Sequence, residues 1–144
     1  MKKLFYIFCT AMLVFTSCRY DEPSFSFQSP ENRLVGYWQL DETYLNGEKV
    51  DTSIYNANIP TNTYYSFHYH GPLLVTSKIN NVNVESRWGS WEFVNKNRDL
   101  NIFLILYNKT YNYKADIIKL SNKELKYKYS DPQGDEWTLH FFKR

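Results

Sequence analysis

From Leu34 to Arg144 the chain is a string of short runs in which apolar and polar residues alternate, cut at short intervals by turn residues. A period of two suits half-buried strands and leaves no room for a long helix. The first run, Leu34 to Leu45, ends at Asn46-Gly47, which suits a type I′ hairpin because both central residues need positive φ. A short return near Glu48 to Val50 leads into Thr52 to Asn62, a polar loop, or a loop holding a short helix. Tyr64 to His70 alternates again, with Tyr65, Phe67 and Tyr69 on one face. Turns at Gly71-Pro72, Asn80-Asn81, Asn95 to Asp99 and Ser121-Asn122-Lys123 bound further strands at Leu73 to Ile79, Val82 to Trp88, Leu100 to Tyr107, Tyr111 to Leu120 and Glu124 to Tyr129. Gly89 interrupts the pattern, so Ser90 to Val94 is expected as a separate or kinked strand. Leu100 to Tyr107 is apolar at nearly every position and is expected to be buried on both faces. Asp131-Pro132-Gln133-Gly134 has Pro and Gly where a type I turn favours them, and Trp137, Leu139 and Phe141 mark the last strand.

Composition points the same way. Aromatics make up 19% of the chain and alanine is nearly absent, a balance that favours strands over helices. Eight or nine strands with short links predict an all-β fold, an antiparallel up-and-down meander in one small domain. Closing it into a barrel of about eight strands removes the exposed edges, and such a barrel holds either side chains alone or one small ligand. An open sandwich is the other arrangement. A membrane-spanning barrel is excluded, because Glu124, Lys126 and Lys128 share a strand face that would have to be apolar.

The start of the chain has a different chemistry. Lys2 and Lys3 precede an apolar stretch from Leu4 to Phe15, and Thr16-Ser17 leads to Cys18. This is the layout of a secretory signal peptide, and the apolar stretch is too short to span a bilayer. Cleavage there discards Cys9 and leaves Cys18 without a disulfide partner. Phe15-Thr16-Ser17-Cys18 resembles the lipobox of bacterial lipoproteins, although the first position is usually Leu. The resemblance implies that Cys18 becomes the first mature residue and carries the lipid, and multiple acyl chains anchor stably. Domains are therefore expected at 1–17 (signal peptide), 18–33 (lipidated N-terminus and flexible tether, with Pro23, Pro30 and several serines) and 34–144 (the barrel). Asp21-Glu22, just past the cysteine, resembles the surface-export signal of Bacteroidota lipoproteins. That likeness implies an outer-membrane lipoprotein of the cell envelope, on its periplasmic or its outer face.

Two fragments of the barrel region carry a second likeness. Gly36-Tyr37-Trp38 opens the first strand, and Gly89-Ser90-Trp91 repeats the device. Both resemble the G-x-W signature of lipocalins, in which the Gly permits close backbone packing and the Trp plugs one end of the barrel. The spacing from Ile117 through Leu120-Ser121 to Leu125 is similar to that of lipocalin-like domains of Bacteroidota lipoproteins. The resemblance implies that Lys143 or Arg144 covers Trp38 through a cation–π contact.

Charge and motifs narrow the function. The chain has 17 basic and 15 acidic residues, and loss of Lys2 and Lys3 leaves 15 of each, with no basic run. Nucleic-acid binding lacks its electrostatic footprint. No phosphate-binding Gly-rich loop, nucleophile elbow or cysteine nucleophile is present, and the carboxylates are scattered, so the chain is read as non-enzymatic. His68 and His70 lie two apart, on one face of a strand, without a third ligand near them in sequence, so neither a metal nor another cofactor is expected. Tyr65, Phe67, Tyr113, Tyr127, Tyr129 and Trp137 are candidates to line a cavity for a small apolar ligand, or to fill the core. Trp88 and Trp91 either form an exposed stacking platform or are buried. The expected partners are the membrane, through the lipid, and a small apolar ligand or an envelope protein. A filled-core interaction lipoprotein, an accessory subunit or inhibitor, is the alternative.

Overall fold

The computed structural model describes residues 28–51, 62–106 and 109–144. The signal peptide, Cys18, residues 19–27 of the tether and residues 52–61 of the polar loop lie outside the described residues. Among these residues one short helix, α1 (Pro30–Leu34), precedes nine strands: β1 (Gly36–Leu45), β2 (Glu48–Val50), β3 (Asn62–Phe67), β4 (Pro72–Ile79), β5 (Val82–Val94), β6 (Asp99–Leu106), β7 (Lys109–Leu120), β8 (Glu124–Ser130) and β9 (Glu136–Lys143). All pairings are antiparallel, and β1 also pairs with β9, so the sheet closes on itself. On its other edge β1 is shared: Gly36 to Gln39 pair with β3, and Thr43 to Leu45 pair with β2. The wall is therefore an eight-stranded barrel with β2 as a short flap.

Turn chemistry sets the register. Asn46 and Gly47 have φ of 51° and 85°, and Asn80 and Asn81 have 49° and 65°, so both two-residue hairpins use positive φ at each central position. The turn from Asp131 is closed by Gly134 N–H donating to the Asp131 carbonyl at 3.0 Å.

Four local expectations are corrected. Residues 30–33, expected as tether, form the body of α1. Ser29 Oγ accepts from Asn32 N–H, Pro30 opens the first turn, and Arg33 and Leu34 are buried. Gly89 does not break β5, which runs unbroken for 13 residues. The glycine lets the Phe103 carbonyl approach where a Cβ would collide with it. Strand β3 ends at Phe67, so His68 and His70 lie in the turn beyond it rather than side by side on a strand, and His70 has φ of 65°. Finally, β6 is buried on one face only: Leu100, Ile102 and Leu104 point inward, whereas Ile105 is 49% exposed.

The inward faces form one core. It runs from Leu34 and Trp38 through Tyr65, Phe67, Leu73 and Ile102 to Leu125, Tyr127 and Phe141. Aromatic rings meet edge-on within it, Tyr65 against Phe141 at 4.9 Å and Phe67 against Trp91 at 5.9 Å.

Candidate functional site

The two ends of the barrel differ in kind. At the end where β1 begins, α1 lies across the opening. Trp38 is fully buried and its indole N–H donates to the Leu34 carbonyl at 2.7 Å. Arg33 reaches the Leu120 carbonyl at 3.2 Å, and the Lys143 ammonium donates to the Arg33 carbonyl at 2.9 Å. The same ammonium sits 5.0 Å from the Trp38 ring centroid, and burial pushes it below the ordinary lysine range. Arg144, the other candidate to cover Trp38, instead donates to Gln39 on the outer side. The second Gly-x-Trp repeats the logic one strand pair away. Trp91 is buried, and its indole N–H donates to the His68 carbonyl at 3.0 Å. This end is plugged.

Among the described residues, the opposite end is open on one side. Strand β7 pairs with β6 along its first eight residues, but with β8 only from Asp116 to Leu120. Among the described strands, nothing pairs with the other edge of β7 from Lys109 to Ala115. The wall is therefore slit between β7 and the hairpin of β8 and β9. Tyr113 and Tyr129 stack across the slit, with centroids 4.1 Å apart and planes at 26°. The Tyr113 hydroxyl lies 3.5 Å from that of Tyr127. Trp137 stands beside Tyr129 in the β8–β9 register, and its indole N–H donates to Asp131 at 3.0 Å. That bond, with backbone N–H groups of residues 133–135, holds the Asp131 carboxyl below the usual range. The resulting cleft has a volume of about 1090 Å³ and reaches inward to Leu104 and Arg87.

Of the six candidate cavity residues, Tyr113, Tyr129 and Trp137 border this cleft. Tyr65, Phe67 and Tyr127 do not, since they are sealed in the core with at most 1% of their surface exposed. Sequence reading missed Arg87, which is 92% buried with 8% exposed and borders the cleft floor. Its position was available in the pattern: Arg87, Gly89 and Trp91 share one parity on β5, and that parity faces inward. Thr43, Thr63 and Ser77 also point inward near the open ends of their strands, and all three are buried. Ser77 Oγ accepts from Arg87 at 3.5 Å.

The outer surface carries two further features. Trp88 and Trp91 lie on opposite faces of β5, so they form no joint platform. Trp88 is 64% exposed and pairs across the sheet with Ile105. A shallow groove of about 880 Å³ runs near Glu31, His70, Ser90 and Phe103. On the opposite wall, Glu42 takes hydrogen bonds from Lys49 at 2.5 Å and Tyr44 at 2.8 Å, with His140 at 3.4 Å. Those partners, Lys49 foremost, lower its carboxyl to about 2. Among the described residues no cluster of three metal-ligating side chains occurs, and no helix is long and apolar enough to cross a membrane.

No protein-family model matches the sequence, and no curated protein matches it. Solved structures do match. A lipocalin-like protein from Bacteroides uniformis superposes with a TM-score of 0.52 at 16% identity, over 78% of this chain and 99% of its own. An uncharacterized protein from Bacteroides eggerthii does so with a TM-score of 0.52 at 18% identity, over 76% and 98%. The shared feature is the fold, and the chain is a lipocalin-like barrel.

Proposed function

We propose that this chain is a lipid-anchored protein of the bacterial cell envelope whose barrel binds a small apolar molecule without chemistry. The observation that carries the binding reading is the slit between β7 and the β8–β9 hairpin, a cleft of about 1090 Å³ walled by Tyr113, Tyr129 and Trp137. Its size suits a drug-sized ligand, and aromatic walls with a few polar groups are the usual lining of such sites. The plugged end supports the same reading, because a barrel closed at one end offers one direction of entry. Anchoring rests on the Phe15-Thr16-Ser17-Cys18 segment.

Native mass spectrometry of protein taken from its own membranes tests the ligand. A small molecule released on denaturation is expected, and its repeated absence would count against binding. Palmitate labelling is expected to vanish in Cys18→Ala; labelling that persisted would overturn the anchor.

One observation favours a second reading, an interaction lipoprotein. Trp88 and Ile105, cross-strand partners that are 64% and 49% exposed, place apolar surface on the outer wall. Scattered apolar residues are ordinary, but a contiguous patch is a contact surface. Cross-linking in intact cells through a photoreactive residue at position 88 separates the readings: a single protein adduct favours interaction.

A further inference from the structure

Strand β7 has one edge that is paired throughout and one that is open over half its length. Its pairing with β6 runs from Lys109 to Asp116 without a shift, and one step further on Ile117 N–H donates to the Arg98 carbonyl at 3.1 Å. That bond fixes the phase of the ladder, because the residues that bond a given antiparallel neighbour alternate along the strand. Tyr111, Tyr113 and Ala115 are in step with Ile117 and bond β6. Thr110, Asn112 and Lys114 therefore turn their main-chain N–H and C=O groups the other way, into the slit. Asp116, next in that series, faces Lys128 where the pairing with β8 begins. Among the described strands none pairs with the slit side of Thr110, Asn112 and Lys114, and all three residues are exposed. An open edge of this kind is a template for another strand, and proteins ordinarily blunt or cover it.

We propose that this edge takes an extended peptide segment of another protein as an added strand, uncharged and alternating in polarity. From Thr110 to Lys114 the guest lies along about 17 Å of β7, with main-chain bonds supplying the grip. Its residues opposite Tyr111 and Tyr113 point into the cleft, toward Leu104 and the stack of Tyr113 on Tyr129, and are apolar. Its residues opposite Thr110, Asn112 and Lys114 point to solvent and are polar. Charge completes the description. The cleft is lined by three cations, Arg87, Lys114 and Lys128, and by three carboxylates, Asp116, Asp131 and Glu136. Lys114 is paired with Asp99 and Lys128 with Glu136, each at 2.9 Å. A guest of either net charge finds no surplus of the opposite sign, and a neutral one disturbs neither pair. A second copy of the chain is the poorer occupant, because pairing β7 with β7 sets the same outward lysine on both strands of one short ladder. The inference concerns the main-chain edge of the wall and does not rest on the small-molecule reading.

The probe is a short capped peptide of alternating threonine and valine, labelled with rhodamine, and its binding to the full chain in mild detergent is read by fluorescence anisotropy. Two N-methylated forms accompany it, one blocked at the threonine N–H groups and one at the valine N–H groups. The parent peptide is expected to bind with Kd below about 1 mM. The threonine-blocked form should lose at least about tenfold, because those N–H groups face β7, and the valine-blocked form should match the parent. Asn112→Pro removes a slit-facing N–H without touching the ladder to β6, so it should weaken the peptide about tenfold and keep the urea midpoint. Tyr113→Pro should lower that midpoint, since its N–H bonds β6. In the free chain the amides of Thr110, Asn112 and Lys114 should exchange at least about tenfold faster than those of Tyr111 and Tyr113, and slow when the peptide is added. Protection of those three amides in the free chain would show an edge already covered and overturn the proposal. Equal binding of all three peptides would show adhesion without strand pairing and overturn it as well, as would no binding up to about 1 mM. Sedimentation that found a dimer dissociated by Asn112→Pro would give the edge to a second copy instead. Where Asn112→Pro does not fold, the methylated peptides and the exchange rates decide. Failure here leaves the small-molecule reading standing, because that reading is tested by native mass spectrometry alone.

Discussion

Replacing Gly36 with alanine puts the plugged end to a quantitative test. Gly36 has φ of 141°, a region that residues with a side chain avoid at a cost of about 1–3 kcal/mol. The added Cβ also collides with Lys143 Cε and comes within 3.1 Å of its Nζ. Because the obstacle is the far end of a flexible side chain, Lys143 gives way and the backbone stays. Its departure breaks the 2.9 Å bond to the Arg33 carbonyl, a charged hydrogen bond of about 1.5–3 kcal/mol. It also forfeits a cation–π contact of about 0.5–2 kcal/mol with Trp38. Rehydration of the ammonium offsets much of this, since burial already disfavours its charge. The net loss from displacing Lys143 is about 1–2 kcal/mol. Gly36→Ala should therefore cost about 2–5 kcal/mol alone, but only the backbone share, about 1–3 kcal/mol, in a Lys143→Ala background. Urea unfolding followed by tryptophan fluorescence measures the four corners of this cycle, and about 4 °C of melting temperature per kcal/mol checks it thermally. Strict additivity, with a coupling below about 0.5 kcal/mol, would refute the claim that Lys143 occupies the space Gly36 leaves.

Three further outcomes follow from the geometry. Gly89→Ala meets backbone, the Phe103 carbonyl, and Leu104 Cδ2 at 2.9 Å, so it is expected to cost about 1–3 kcal/mol and to speed amide exchange along β5 and β6. Exchange rates at Ile102 and Leu104 matching the parent would show that the strands do not need that closeness. Glu42 titrates at about 2 when folded, below its ordinary 4.5, so its contribution is complete above the ordinary value and is lost as pH falls toward about 2. Glu42→Gln should flatten the pH dependence of stability over that window, and an unaltered acid limb would exclude the Lys49 and Tyr44 network as its source. Trp88→Ser removes a side chain that is 64% exposed, so stability should move by no more than about 0.5 kcal/mol while any tendency to self-associate falls. A loss of several kcal/mol in urea titration would mean that the outer face is packed.

The plugged end was the more legible half of the molecule. A Gly-x-Trp at the head of a strand names two of its parts, and the terminal Lys143 lies opposite Trp38 because β9 closes onto β1. The helix that caps it was hidden by composition. Pro30 and the serines around it suit a tether, yet Ser29-Pro30-Glu31 is also a cap, a proline in the first turn and an acid at the helix start. Burial of Arg33 and Leu34 decides between them, and burial is tertiary. Alternation likewise sorts Trp88 outward and Trp91 inward by position alone. It misleads at Tyr64 to His70, where the alternation runs on past the end of β3 at Phe67, and at the run expected from Leu100 to Tyr107, where both faces are apolar and the pattern is silent about which one meets water.

The cleft was harder to read, yet its cause is simple arithmetic of strand length. The turn at Ser121-Asn122-Lys123 joins β7 to β8 with Leu120 opposite Leu125, so the two strands are in step at the plugged end. Strand β7 has 12 residues and β8 has 7. With one end fixed by a short turn, the surplus of β7 must protrude at the other, and β9 cannot fill the space because it already closes onto β1. The slit follows from that mismatch, and so does the meeting of Tyr113 with Tyr129 across it, one ring from the overhang and one from the last paired turn of the hairpin. A single apolar run says which residues are buried; the difference between two neighbouring runs says where the wall ends. The candidate site therefore lies where β7 outruns β8 by five residues, and lengthening the β8–β9 hairpin by matched insertions on each side of the Asp131 turn would be expected to narrow it.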